Sequence, residues 1–504
     1  MSTAPLLGCR APDGTGAIAP AAAAADGQER RPRPRGGSDG LAGTCLSWLG
    51  RVVDTEEAWA QLQIAVPMIL MNMSYYGIPL VSVMFSGHLG NVQLAGATLG
   101  NSWATVTGYA LVTGMSGALE TLCGQAYGAR LYPMLGLYLQ SSLLLSAAVS
   151  ALVSVLWMFT EPLLLFLRQD PEVSRAAAAF IGSQVPGLFA FAFLQCLLRY
   201  LQMQSVVVPL VVCSVAPFAL HVALTHLVVN VLGLGMAGAS VAISATFWVA
   251  CLMLVAYILR AEAFSETWKG FSAEALRYVL PTAKLAVPSA VMVCLEIWAF
   301  EILVLVAGLL PNPTVSTPLI AMCSSTQAIA LMTTFGFSAA VSTRVSNEIG
   351  AGNVDRAKNA VRTTLKLSVL LGISFVLLLA FGHDLWANLF SGSAVIVSEF
   401  RAITPFMILS IVLDSAQASL SGVARGGGWQ HLAALTNLVA YYLVALPLAI
   451  LFAFKLKLYT KGLWVGLICG LACQGCSLLV ITVRTKWSKI AEAVKEERAH
   501  YYIA

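Results

Sequence analysis

Residues 114–129 read GMSGALETLCGQAYGA, and residues 336–351 read GFSAAVSTRVSNEIGA. The two align without a gap: Gly114, Ser116, Ala118, Thr121, Gly128 and Ala129 recur as Gly336, Ser338, Ala340, Thr343, Gly350 and Ala351. Upstream, IAVP at 64–67 returns as LAVP at 285–288, and Gly87 matches Gly308 at almost the same offset. Such recurrence marks two copies of one unit, and the residues around each copy say what the unit is.

Working outward, each copy lies among apolar runs of the length needed to cross a bilayer, about 20 residues. No Asp, Glu, Lys or Arg occurs between Ala58 and Leu119, and GHLGN at 87–91 splits that stretch into two spans. Further spans are expected near 131–156, 175–201, 208–230 and 236–259. The polar segment RAEAFSETWKGFSAEALR (260–277) interrupts the pattern. Six more spans follow near 284–309, 317–343, 363–383, 400–424, 431–454 and 462–483. The expected fold is therefore an all-α integral membrane protein, with 12 transmembrane helices as two six-helix pseudo-symmetric bundles. Six is even, so both copies run in the same direction, with a pseudo-twofold axis along the membrane normal and a cleft between the lobes. The expected divisions are a disordered N-terminus (1–50), a first lobe (51–260), a linker (261–283), a second lobe (284–484) and a C-terminal tail (485–504).

The chain of 504 residues is 58% hydrophobic and 11% charged, with a mean hydropathy of +0.80. That composition belongs to a protein in a lipid bilayer, not to a dispersed globular one. The net charge of +5 sits largely in loops and at the ends, which bears on orientation and not on nucleic acid. Arg130, Arg199, Arg260, Lys269, Arg277, Arg344 through Lys366, Arg425 and Arg484 through Lys489 fall on one side, so both termini are expected in the cytosol. Lys455, Lys457 and Lys461 are the exception. No signal peptide is expected ahead of the first span; the leading residues AIAPAAAAADG and RRPRPRGG read as disordered. The eleven cysteines lie mostly in apolar runs and are read as core packing, Cys473 and Cys476 included.

Few ionisable residues lie at membrane depth: Glu296 and Glu301 in CLEIWAFE (294–301), Asp414 in FMILSIVLDSAQASLSG, and Glu120 near a span's end. A charge at the bilayer centre costs roughly 2.5 kcal/mol or more, so such groups face a wet cavity or hold a proton. In the internal alignment Glu296 corresponds to Tyr75 and Glu301 to Leu80, so the acids belong to the second lobe alone. Residues 296 and 301 stand about 140° apart around a helix. Glu296 is expected at the cavity, paired functionally with Asp414, and Glu301 in a supporting role.

The sequence resembles the multidrug and toxic compound extrusion (MATE) family, in its plant DETOXIFICATION branch. The carriers are ALETLCGQAYGA (118–129), CLEIWAFEILVLVAGLLPNP (294–313), STRVSNEIGAGN (342–353) and VLDSAQASLSGVARGGGWQ (412–430). The resemblance implies two six-helix bundles around a central cavity and efflux driven by a proton or sodium gradient. It also implies proton coupling at the acids of the seventh and tenth helices, here Glu296 with Glu301 and Asp414. Many bacterial relatives carry an essential aspartate in the first helix; this one reads MNMSYYGIPL. Ile297 and Gly427 depart from the usual plant pattern.

Candidate substrate contacts are Tyr75 and Asn72 in the first helix, Trp298 beside the acids, and Gln327, Gln417, Asn437 and Tyr441 in the second lobe. Phe300 accompanies Trp298, and Ser74 accompanies Asn72. His221 and His226 read as structural, and Pro67 with Pro288 as a shared helix bend. Residues 350–353 are a helix end, not a nucleotide cradle. No nucleophile, metal or nucleotide-binding constellation is found, so no enzyme activity, cofactor or metal is expected. The expected function is a proton-coupled antiporter exporting organic compounds, cationic or phenolic, across the vacuolar or plasma membrane as a monomer. The rivals are a channel or uniporter for small ions and a membrane-embedded lipid-modifying enzyme.

Overall fold

The computed structural model describes residues 54–311, 313–390 and 393–503; the expected disordered segment at 1–50 lies outside them. Helices fill the described residues. The first lobe holds α1 (Thr55–Gly87), α2 (Asn91–Ala104, Thr105–Tyr109, Ala110–Ser116 and Ala118–Gly128), α3 (Tyr132–Met158), α4 (Pro171–Gly182 and Val185–Met203), α5 (Val208–His226, then Leu227–Val231) and α6 (Gly235–Arg260). The second holds α7 (Val279–Ala307), α8 (Pro313–Gly350), α9 (Val354–Phe390), α10 (Ala394–Gly427), α11 (Gln430–Asn437 through Leu451–Lys455) and α12 (Tyr459–Arg484), followed by α13 (Trp487–Ile503). Eleven of the spans are long and apolar enough to cross a membrane as single helices. The twelfth, α2, is interrupted by a π-helical turn at Thr105–Tyr109.

Local chemistry sets the ends. Asp54 caps α1, its Oδ1 accepting from the amides of Glu56 and Glu57 at 3.2 and 3.3 Å. The Asn359 amide also donates to Asp54, at 2.8 Å, and these donors hold its carboxyl below the usual range. Asp170 caps the first part of α4, with Pro171 at the first helical position. Gly428, at φ +90°, ends α10 in the left-handed region that favours glycine. The linker forms 3₁₀ turns at Glu262–Phe264 and Ala273–Tyr278. It is strapped to α3 by Gln140, which donates to the Gly270 carbonyl and accepts from the Ser272 amide.

The pseudo-twofold axis is visible in side-chain contacts. A Cβ on Gly128 would strike the carbonyl oxygen of Asn347, and one on Gly350 would strike that of Gln125. In the repeat register Gly128 pairs with Gly350 and Gln125 with Asn347, so the two contacts are one contact seen from either lobe. The same holds further along: Gly114 meets Ala290 on α7, and Gly336 meets Ile69 on α1. Gln202 donates to Thr343 at 3.2 Å, while Gln430 donates to Thr121 at 2.7 Å. Helices α2 and α8 thus cross the axis at the end where α1 begins and α12 ends, called here the terminal face. Close approach of this kind needs residues without side chains, which is why glycine recurs there.

Outside, large apolar side chains stand exposed around both lobes, among them Leu152, Leu305, Phe381 and Leu443 at 68–87%. Burial in hydrocarbon, not water, accounts for such a surface.

Candidate functional site

Glu296 sits just over two turns beyond Pro288 on α7, and Asp414 lies midway along α10. Both are buried, with 8% and 2% exposure. The two acids meet through one side chain. Gln417 Nε2 donates to Glu296 Oε1 at 3.2 Å and to Asp414 Oδ1 at 2.9 Å. Gln417 stands three residues after Asp414, on the same helical face. The second oxygen of Asp414 accepts from Gln327 Nε2 of α8 at 2.7 Å.

The amides are themselves oriented. Gln417 Oε1 accepts from Ser421 at 3.1 Å; Gln327 Oε1 accepts from Ser410 at 3.1 Å, and Ser410 accepts from the Trp464 indole at 3.0 Å. Each glutamine therefore turns its nitrogen, and not its oxygen, toward a carboxylate. Both Asp414 oxygens and one Glu296 oxygen are occupied by N–H donors, while Glu296 Oε2 has no hydrogen bond among the described residues. A carboxylate pair ringed by donors suits the exchange of a proton.

Helix α11 fixes the backbone of α7 just before Glu296. Asn437 donates to the Met292 carbonyl at 2.9 Å, and the Tyr442 hydroxyl donates to the Leu295 carbonyl at 3.3 Å. Gln474 in turn donates to Asn437 at 2.8 Å. Tyr441 is fully buried, 6.5 Å from Phe300 between ring centroids, on a π-helical stretch at Leu438–Ala445. The Tyr441 hydroxyl and Gln474 Oε1 have no hydrogen-bond partner among the described residues.

Of the sequence candidates, Glu296, Asp414, Gln327 and Gln417 come together directly, with Asn437 and Tyr441 beside them. The others stand elsewhere. Glu301 is half-buried and enters no hydrogen bond or ion pair among the described residues. Trp298 is 39% exposed and donates to the Val106 carbonyl across the seam between lobes, at 2.9 Å. Tyr75 is buried in the first lobe, donating to the Cys213 carbonyl at 3.1 Å, and Asn72 is half-buried near it. His221 is held among Ser82, Thr246 and Thr225.

A second buried cluster was not legible. Glu120, wholly buried, accepts from Arg425 Nε at 3.0 Å and from Ser342 at 2.5 Å, and lies 3.2 Å from Arg199 Nε. In the sequence Arg199 and Arg425 register only as charges near span ends. Their convergence over more than two hundred residues has no local signature.

The MatE family model matches the chain twice, over residues 67–227 and 288–451. The two matches begin at the repeat-related prolines Pro67 and Pro288. Protein DETOXIFICATION 18 of Arabidopsis thaliana is 50% identical over 464 residues, covering 92% of this chain and 99% of its own length. Protein DETOXIFICATION 16 of the same plant is 42% identical, covering 87% of this chain and 90% of its own length. The crystal structure of the eukaryotic MATE transporter AtDTX14 superposes with a TM-score of 0.85 at 36% identity, covering 88% of this chain and 99% of that one.

Proposed function

The chain belongs to the MatE family of membrane transporters, and on that premise we propose that it is a proton-coupled antiporter exporting organic compounds from the cytosol. The observation that carries this reading is the Gln417 amide shared by Glu296 and Asp414. Ionising both acids would set two like charges on one nitrogen in a buried site, a costly arrangement. A pair of this kind holds a proton in one state and releases it in another.

The cycle follows from differential affinity. A proton arriving from the far side bonds to the free oxygen of Glu296, Oε2. The pair then loses charge, a cationic or polar substrate in the cleft loses its electrostatic partner, and the substrate leaves. Deprotonation toward the cytosol restores the negative charge and the affinity. Asp414, held by two amides, keeps its place while Glu296 changes state. Glu301 supports the site from the same helix, and Asn72, Tyr75, Trp298, Gln327, Asn437 and Tyr441 contribute to the surfaces substrate passes.

The distribution of Lys and Arg favours both termini in the cytosol. The name DETOXIFICATION carried by the relatives favours xenobiotics as cargo; the proposal extends to secondary metabolites, to transport across the vacuolar or plasma membrane, and to a monomer. In proteoliposomes, uptake of a fluorescent organic cation under an imposed pH gradient tests the reading. Glu296→Gln and Asp414→Asn are each expected to lower gradient-driven uptake at least tenfold. Uptake without proton stoichiometry would mean a channel or uniporter instead.

A further inference from the structure

We propose that Glu120 and Arg425 form a latch that closes the cytosolic side of the transporter and must part in every cycle, an inference that rests on the alternating-access reading above. Glu120 belongs to α2 in the first lobe, whereas Arg425 and Ser342 belong to α10 and α8 in the second. In the repeat register Glu120 pairs with Ser342, so the bond between them lies on the pseudo-twofold axis itself. Any movement that separates the lobes at this face must break it.

Three features distinguish a latch from a static brace. First, the carboxylate is fully buried and reached from both lobes, by Arg425 at 3.0 Å and Arg199 at 3.2 Å. Second, Arg199 lies on α4, in the same lobe as Glu120. When the lobes part, Glu120 keeps one arginine and is never left bare, which makes the bond breakable; stripping a buried charge of every partner is what makes such bonds prohibitive. Third, the second lobe positions its arginine with side chains of its own, since Arg425 Nη2 also donates to Ser338 at 2.8 Å.

The latch is joined to the acid pair by one helical face. Asp414, Gln417, Ser421 and Arg425 follow at steps of three, four and four residues along α10, which stacks them on one side over about 16 Å. Ser421 bonds Gln417 within that row. A shift of α10 that accompanies proton exchange at Asp414 is therefore transmitted to Arg425 by a single rigid element.

A second ion-pair cluster crosses the same seam and bounds the size of the effect. Arg344 of α8 makes paired bonds to Glu57 of α1 at 3.0 and 2.7 Å. Glu57 is buried too, but Arg344 is more exposed than either arginine on Glu120, so this bond is worth less than that of Glu120. Loss of the latch should bias the closed state without abolishing it.

The test is a distance measurement on the full-length protein in nanodiscs, with spin labels at Arg130→Cys and Arg356→Cys on the cytosolic ends of the two lobes. Arg425→Gln severs the cross-lobe ion pair and leaves Glu120 paired with Arg199 and bonded to Ser342; Ser342→Ala removes one bond and no charge. The expected result is a rise in the open-to-closed ratio of roughly tenfold for Arg425→Gln and a smaller rise for Ser342→Ala. Unchanged distance distributions in both folded variants, while the wild type does open with substrate or pH, would overturn the latch alone. A wild type that never opens at this face would overturn the alternating-access reading instead.

Discussion

Gln417 carries more of the site than its neutral side chain suggests. It is the one group among the described residues that touches both acids, and Ser421 fixes which way its amide points. Gln417→Leu keeps the bulk and deletes both bonds to the carboxylates. A hydrogen bond to a charged group contributes about 1.5–3 kcal/mol, so gradient-driven uptake should fall on the order of ten- to a hundredfold. The dependence of uptake on pH should change as well, because the two acids would no longer be held at a common nitrogen. Glu301→Gln, by contrast, removes no hydrogen bond or ion pair among the described residues, and uptake is expected to stay within about twofold of wild type. A profile of uptake rate against pH for the two variants checks both expectations. At this scale the sequence was informative about which residues, and less so about how they meet. Acids in an apolar run announce themselves by their cost. That Gln327 and Gln417 address Asp414 from two helices depends on packing, and no spacing within either helix encodes it.

Among the helices, α2 and α8 are the pair on which closure at the terminal face depends. Gly128 and Gly350 each abut a carbonyl oxygen of the opposite helix. Backbone atoms cannot step aside as a flexible side chain can, so an added methyl must push the helices apart. Gly128→Ala and Gly350→Ala are each expected to cost about 1–3 kcal/mol, seen as a lowered midpoint of thermal unfolding in detergent. Because the contacts are related by the pseudo-twofold axis, the two losses should be similar. Gly382→Ala in α9 is the control: nothing stands within 4 Å of its added Cβ, and a small gain is expected from helix propensity. Both glycines belong to the duplicated motif, so this interface was legible once the repeat was seen. The π-helical turns at Thr105–Tyr109 and Leu438–Ala445 were not. An extra residue in a turn is accommodated by neighbours, here by helices packed against α2 and α11, and leaves no mark on apolar periodicity.

Over the whole molecule, duplication has supplied a symmetric frame while the ionisable groups break the symmetry. Glu296 has Tyr75 as its repeat partner, and Glu120 has Ser342. The frame is shared, but the surroundings of each pair have diverged. Around Glu296 stand Gln417 and Asp414; around Tyr75 stands the Cys213 carbonyl, an acceptor that suits a hydroxyl and repels a carboxylate. A carboxyl moved to the equivalent place in the first lobe would therefore face a carbonyl acceptor in place of a glutamine donor, with no second acid beside it. The double variant Tyr75→Glu with Glu296→Gln should not recover proton-driven uptake, although it restores the number of membrane-embedded acids. It should also unfold more readily than Glu296→Gln alone, by an amount on the order of 1–3 kcal/mol, since a buried polar group lacking a partner pays its full desolvation. Uptake under a pH gradient and thermal unfolding of the same preparation decide the matter together. Restored uptake would mean that coupling needs only an acid at that depth in either lobe, and that the ring of glutamine donors around Glu296 and Asp414 is incidental.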